Sequence, residues 1–288
     1  MDMVLMLVTG MSLYYIRIKG LILKKNGYQS RFMQKFTIDP DQILSAPKGD
    51  VPVVQIKGQD ARHMRKVLRL LPGDPVSMTD ARGTDYQGQV RAILLDAVEV
   101  EIIRQDPSRT ESSLDLTICS AMLKDKKMDG IIRELTQIGV TAWVPFFSKR
   151  CVPSPDPEKL MRRHERWQAI ARESLKQCRR SCEVKILFPC AFDAVLEMAA
   201  DATHCIAFWE AGEQPLALAR GKASPLSTRA VVLIGPEGGF TKEEIHRAEA
   251  SGFCSYSLGP RILRAETAAL TAAVLVQYLL GDLGSGRS

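Results

Sequence analysis

The stretch Ala230–Phe240, AVVLIGPEGGF, read with Leu258–Ala269, LGPRILRAETAA, decides the fold. The apolar run Ala230–Ile234 has no polar interruption and ends abruptly at Gly235-Pro236, the pattern of a strand buried on both faces. The second loop follows the short apolar segment Phe253–Ser257 and opens the helix-patterned Ala265–Leu280. Each loop sits where a strand hands over to a helix, and in an open α/β sheet that is where the crevice for a ligand forms. Glycine lets backbone approach a ligand closely. Two such loops in succession describe two walls of one pocket.

Working outward, the apolar runs Leu116–Met122, Ala142–Phe147, Val184–Phe188, His204–Trp209 and Phe253–Leu258 alternate with helical stretches. That alternation predicts an α/β domain over 114–288, with a mostly parallel sheet covered on both faces. Thr241-Lys-Glu-Glu244 reads as a capping box, and Gly252 as the stop that follows Ser251. Ala265–Leu280 is apolar on nearly every side, which predicts burial, against the sheet or another subunit. Before residue 114 the signals change. Val51–Ile56, Pro75–Thr79, Tyr86–Ile93 and Val98–Ile103 are β-rich runs punctuated by Gly73-Asp74 and by the turn Asp80–Gly83. Residues 31–106 therefore read as a small β-barrel-like domain, and the polar 107–113 as a linker. Residues 1–30 read as a non-globular extension or an early start. Met3–Ile16 is apolar but lacks a basic lead-in and a small-residue cleavage site. It is also shorter than the about twenty residues a membrane helix needs, so no membrane partner is expected.

Composition excludes several classes. With 45% hydrophobic and 25% charged residues in 288, the chain is globular rather than disordered or fibrous. Its net charge of +6 permits a polyanionic partner without demanding one. Seven cysteines, an odd number without a CxxC pair, fit a reducing cytoplasm better than a disulfide framework or zinc site. The four histidines stand singly, so no metal is expected.

Two basic stretches point to a phosphate backbone. In Ala61–Leu71, residues Arg62, Arg65, Lys66 and Arg69 fall on one helical stripe, with Met64, Val67, Leu68 and Leu71 on the core side. The second runs from Arg162 to Arg180, with Leu160, Trp167, Ala171, Leu175 and Cys178 opposite its cations. An ordinary solvated face fits the first stripe equally well. GPEGGF fails as a phosphate loop, since no Gly-Lys-Ser/Thr follows and no GxGxxG occurs. Glu237 within it repels phosphate and suits a cation or a hydrogen-bond donor, so adenine, ribose and a positive sulfonium fit better than a triphosphate. A plain tight turn also accounts for GPEGG alone. In the second loop Arg261, Arg264, Glu266 and Thr267 crowd a helix start, where an Arg264–Glu266 ion pair and a Thr267 cap are the plain alternative.

Ile234–Glu244 (IGPEGGFTKEE) followed by Ser257–Leu270 (SLGPRILRAETAAL) resembles the signature of the RsmE family, SPOUT-class methyltransferases acting on N3 of a uridine in 16S ribosomal RNA. Upstream, Lys124–Val140 (KDKKMDGIIRELTQIGV) is similar to the family's segment after its first catalytic strand. His63–Asp74, Asp80–Gly88 and the near-start Arg31–Met33 resemble its N-terminal PUA-like RNA-binding barrel. The likeness spans about residues 31–284. Cys178-Arg179-Arg180 departs from a small-Gly-Arg sequence, and Glu134, Gln137 and Ile138 replace the family's commoner Lys, Glu and Leu.

The resemblance implies a trefoil-knotted domain, S-adenosylmethionine held bent in the knot, and a cytoplasmic homodimer acting on 16S rRNA in the small subunit. Its cofactor cradle maps to Phe208, Trp209, Glu210, Ile234, Gly235, Pro236, Glu237, Gly238, Gly239, Leu258, Ile262, Leu263, Arg264, Ala265, Glu266 and Thr267. Arg264, oriented by Glu266, is the candidate for stabilising the anionic uracil. Arg31, Arg62, Arg65, Lys66, Arg69, Lys124, Lys126, Arg172, Lys176 and Arg180 are expected to face RNA. Methylation of another rRNA or tRNA nucleotide, or RNA binding without catalysis, are the alternative readings.

Overall fold

A computed structural model describes residues 17–18, 21–22, 35–44, 51–124, 126–151, 156–212, 216 and 228–284. Met1–Met33 forms a unit apart from Gln34–Ser288. In it, β1 (Arg17–Ile18) and β2 (Leu21–Ile22) pair antiparallel. Arg31 lies outside the described residues.

The second unit begins with a curled six-stranded sheet. Its strands are β3 (Lys35–Thr37), β4 (Ile43–Leu44), β5 (Val53–Lys57), β6 (Pro75–Thr79), β7 (Thr84–Ile93) and β8 (Ala97–Pro107), ordered β3-β6-β7-β8-β5-β4. All pairings are antiparallel except that of β3 with β6. Register shifts at Gln87/Gly88 and Val90/Ala92 bend β7 against β8 and curl the sheet. Gly88 sits at the tightest point, where an added Cβ would come 2.5 Å from the Glu101 carbonyl oxygen. The concave side buries Val54, Met78, Val98 and Val100 beneath Met64 of α1 (Gly58–Lys66).

Helix α1 is shorter than its sequence pattern predicts. The His63 carbonyl accepts from both Val67 and Leu68 N–H, and the Asp74 carboxylate accepts from Leu71 N–H, so the chain leaves the helix after Lys66. Arg69 then has φ +51 and drops out of the predicted basic stripe. Of the four residues expected on the core side, only Met64 is buried, whereas Val67 and Leu71 are each 65% exposed.

The α/β part contains β9 (Asp115–Ala121), α2 (Lys127–Ile138), β10 (Ala142–Phe147), α3 (Pro157–Cys178), β11 (Lys185–Ile186), β12 (Cys190–Ala191), α4 (Phe192–Met198), β13 (His204–Phe208), β14 (Arg229–Ile234), α5 (Lys242–Ala250), β15 (Cys254–Tyr256) and α6 (Ala265–Leu280). Every pairing in this sheet is parallel, in the order β11-β10-β9-β14-β13-β15 with β12 on β10. Successive side chains of β14 serve opposite faces, as strand geometry requires. Ala230, Val232 and Ile234 join the core under α2, α3 and α6, while Val231 and Leu233 join the one under α4 and α5. Trp143 and Trp167 meet edge to face at 5.1 Å in the first core, and the Trp143 indole donates to Ser120 Oγ at 2.8 Å.

Helix α6 departs from the expectation of all-round burial. Ala265, Ala269, Ala272, Ala273 and Val276 are buried, but Thr267, Val274 and Tyr278 lie exposed on the other side.

The predicted linker holds the polar centre that joins the two parts. Glu111 accepts from the Arg180 guanidinium at 2.8 Å and from Ser181 N–H at 2.6 Å. Arg180 also donates to the Thr136 and Val140 carbonyls, both at 2.9 Å, capping the C-terminal end of α2. Ser181 Oγ accepts from Lys35 at 2.7 Å and donates to Asp85, and Lys176 pairs with Asp60 at 3.0 Å. Arg180 is buried, so the structure removes it from the predicted RNA-facing set. Arg179 at the end of α3 has φ +63, the left-handed conformation that glycine accepts freely and an L side chain rarely adopts.

Two neighbouring substitutions are expected to act in opposite directions. Arg180→Ala removes the cation from Glu111, leaving Oε2 of its carboxylate and the Thr136 and Val140 carbonyls without their donor, and should destabilise by about 3–5 kcal/mol in urea unfolding. Arg179→Gly relieves a left-handed residue and should stabilise by about 1 kcal/mol.

Candidate functional site

The parallel sheet brings the ends of β13, β14 and β15 to one edge. The loops that follow them, 209–212, 235–240 and 257–263, surround a cavity of about 250 Å³. Phe208–Glu210, Ile234–Gly239, Leu258, Ile262, Leu263 and Ala265 from the predicted cradle all line it. Arg261, which the sequence pattern placed at the start of α6, lines it as well, and so do Ser257, Gly259 and Ala268, which the pattern did not single out. Trp209 N–H donates to the Tyr256 carbonyl at 3.0 Å, tying the first loop to the third. At Gly239, φ is +67 and an added Cβ would lie 2.0 Å from a Glu210 carboxylate oxygen. An added Cβ at Gly235 would press on the Phe240 ring at 3.1 Å. Small residues are thus required for the loop to close beneath a ligand.

The rim of the cavity carries the Glu210 and Glu237 carboxylates and the Arg261 guanidinium over walls of Phe208, Ile234, Leu258 and Ile262. Ile262 is 90% exposed, an apolar side chain at the mouth.

Arg264, Glu266 and Thr267 do not line the cavity. Arg264 is the exposed N-cap of α6 and makes no ion pair with Glu266 among the described residues. Instead Glu266 lies 3.7 Å from Lys127 Nζ, and the same ammonium bonds Glu237 in the first loop. Lys127 therefore ties the GPEGGF loop to the start of α6. The hydrogen bond from Glu237 pushes its ammonium above the ordinary lysine range, with Glu266 adding to the effect, so it stays cationic at neutral pH. The run KDKK concealed this residue, since Lys124 and Lys126 looked equivalent to it and both are exposed. What separates Lys127 is its place in the first turn of α2.

The loop's other end is fixed by Glu244, 2% exposed. Its carboxylate accepts from Thr241 N–H at 2.9 Å while Thr241 Oγ1 accepts from Glu244 N–H, the predicted capping box. It also accepts from Lys149 N–H at 2.8 Å, anchoring the segment after β10. Arg150 in that segment donates to the Gly238 carbonyl at 2.9 Å.

Of the predicted RNA-facing cations, Arg62, Arg65 and Lys66 stand together on α1. Arg172 is half exposed and 3.7 Å from Glu183, and Lys176 is engaged by Asp60. Among the described residues no helix is long and apolar enough to cross a membrane, and no group of His, Cys, Asp and Glu is arranged to hold a metal ion.

A model of the RNA methyltransferase domain family matches residues 110–277. Ribosomal RNA small subunit methyltransferase E of Bacillus subtilis is 28% identical over 250 residues, covering 85% of this chain and 96% of that protein. The protein of the same name from Synechocystis is 30% identical over 247 residues, covering 85% of this chain and 78% of the relative. The crystal structure of ribosomal RNA small subunit methyltransferase E from Neisseria gonorrhoeae, bound to S-adenosyl methionine, is similar with a TM-score of 0.71 at 28% identity. It covers 87% of this chain and 99% of that one.

Glu244→Ala removes two charge-assisted acceptor contacts and leaves the Thr241 and Lys149 N–H groups without their partner. It is expected to destabilise by about 2–3 kcal/mol in chemical unfolding, whereas exposed Glu243→Ala shifts stability by less than about 0.5 kcal/mol.

Proposed function

The chain belongs to the RNA methyltransferase family that includes ribosomal RNA small subunit methyltransferase E, and from that premise we propose that it methylates N3 of a uridine in small-subunit 16S ribosomal RNA. The observation that carries the reading is the cavity closed by three loops over β13, β14 and β15, with glycines at 235, 238 and 239 where an added Cβ would meet a neighbour.

S-adenosylmethionine supplies an electrophilic methyl group on a positive sulfonium. The residues present fit it. Phe208, Ile234, Leu258 and Ile262 give an apolar slot for adenine, and backbone at Gly235–Gly239 comes close because no side chain intervenes. Glu210 and Glu237 offer acceptors for ribose hydroxyls and a negative field for the sulfonium, the opposite of what a triphosphate needs. Lys127 holds the Glu237 wall against the start of α6. The proposed trefoil knot passes through these same loops.

Arg264 is exposed, stands within electrostatic range of Lys127, and is assigned to RNA rather than to the cofactor. Arg62, Arg65 and Lys66 on α1 supply further cations for phosphate. N3 of uracil lies on the pairing edge, so the target must be unpaired or turned out of its helix. The exposed side of α6, with Thr267, Val274 and Tyr278, is assigned to a second copy of the chain, completing a homodimer. Free thiols at Cys119, Cys178, Cys182, Cys190, Cys205 and Cys254 agree with a cytoplasmic protein.

Isothermal titration with S-adenosylmethionine is expected to show one site per chain, and small subunits treated with enzyme and cofactor should yield 3-methyluridine on nucleoside analysis. Gly239→Ala should weaken cofactor binding by about tenfold or more, since its Cβ collides with Glu210. Arg264→Ala should leave cofactor affinity within about twofold and lower turnover by about 10²-fold or more. Failure of the wild-type chain to bind the cofactor would overturn the reading.

A further inference from the structure

A second cavity of about 260 Å³ opens on the other side of the GPEGGF loop, over the ends of β9 and β10. Its floor is Met122 and Leu123, its cations are Lys124 and Arg150, and Pro236, Glu237 and Gly238 form the wall it shares with the first cavity. Building on the methyltransferase reading above, we propose that this second cavity seats the target uracil and reads its pairing edge, with Lys124 and Arg150 donating to the ring carbonyls and Glu237 accepting from N3–H.

The chemistry of the base matches the wall. Uracil presents acceptor, donor, acceptor along its pairing edge, and the cavity lining supplies two cations and one carboxylate. Lys127 engages Oε1 of Glu237, which leaves Oε2 as an acceptor. Arg150 is fixed by its bond to the Gly238 carbonyl, so its guanidinium is oriented before a base arrives. The peptide of Lys149 is itself held by buried Glu244, which immobilises the whole segment. Cytosine fits this wall poorly. Its N3 carries no proton for Glu237, and its exocyclic amine would face a cation, leaving desolvated groups unpaired. The apolar floor offers a face for the flat ring. The shared lining matters most, because Pro236, Glu237 and Gly238 border both cavities, so a base whose N3 meets Glu237 stands at the edge of the cofactor cradle.

The cations have a second consequence. When N3 passes its proton to the Glu237 carboxylate that accepts its hydrogen bond, the charge left on the ring spreads over the two carbonyl oxygens. Donors already placed at those oxygens stabilise that anion more than they stabilise neutral uracil. Lys124 and Arg150 thus act on recognition and on the ease of deprotonation through the same contacts.

The test uses the full chain and small subunits whose RNA carries 4-thiouridine, photo-crosslinked without cofactor and mapped by peptide mass spectrometry. Crosslinks are expected in the peptides holding Met122–Lys124 or Arg150–Cys151. The double variant Lys124→Met, Arg150→Met should lose about tenfold of that yield and about 10²-fold in turnover on small subunits. Lys124→Met alone, which keeps Arg150 on the Gly238 carbonyl, should hold cofactor affinity within about twofold of wild type. Crosslinks found only elsewhere, or unaltered crosslinking and turnover in the double variant, would overturn the assignment. Cofactor titration separates the two claims: a chain that binds no cofactor fails as a methyltransferase, whereas a cofactor-binding chain with crosslinks elsewhere fails only as to where the base sits.

Discussion

The constraint on which the rest depends is the double-sided burial of β14. Flanked by β9 on one side and β13 on the other, it gives Ala230, Val232 and Ile234 to one core and Val231 and Leu233 to the other. A slip of one residue would exchange those two sets, so register is strongly specified. Because β14 cannot slide, Gly235 must emerge at one height above the sheet edge. The GPEGGF loop inherits that precision, and so do the two cavities on either side of it.

Polar ties then convert a fixed strand into a fixed loop. Glu244 satisfies the orphan amides at the start of α5 and holds the segment after β10 with the same carboxylate. Lys127 does the equivalent on the other flank, drawing Glu237 and Glu266 toward one ammonium. Arg180 and Glu111 perform a third version at the junction with the curled sheet. In each case one charged group serves several partners from separate segments, and each partner is a strand end, helix end or loop whose hydrogen bonds no regular structure would complete.

Much of this was legible in the chain, for identifiable reasons. The strands Pro75–Thr79 and Ala142–Phe147 and the helix Ala265–Leu280 match the sequence-based boundaries, because apolar runs with clear stops report burial directly. The capping box was readable because its partners lie three residues apart. What escaped the sequence is long-range. Lys127 and Glu237 are separated by 110 positions, and Glu111 and Arg180 by 69. No local pattern distinguishes Lys127 from Lys124, or buried Arg180 from its exposed neighbours. Arg69 and the apolar side of α1 failed differently: helical periodicity continues through Leu71, but Asp74 captures the backbone and turns the chain away.

The two cavities pose a problem of charge that one loop resolves. A sulfonium on one side favours carboxylate, and so does an N3–H donor on the other, whereas the uracil anion favours cations. Glu237 borders both cavities, and Lys127 on one of its oxygens keeps the carboxylate from standing as an uncompensated negative charge beside a ring that must become anionic. Lys124 and Arg150 lie on the far side of that carboxylate and do not border the cofactor cavity, so their charge acts on the base without opposing the sulfonium. The loop that borders both cavities is slim because of glycine: an added Cβ at 238 would press on Arg150 at 3.3 Å, and Gly239, next to it on the cofactor side, holds φ +67, a conformation that L side chains rarely adopt.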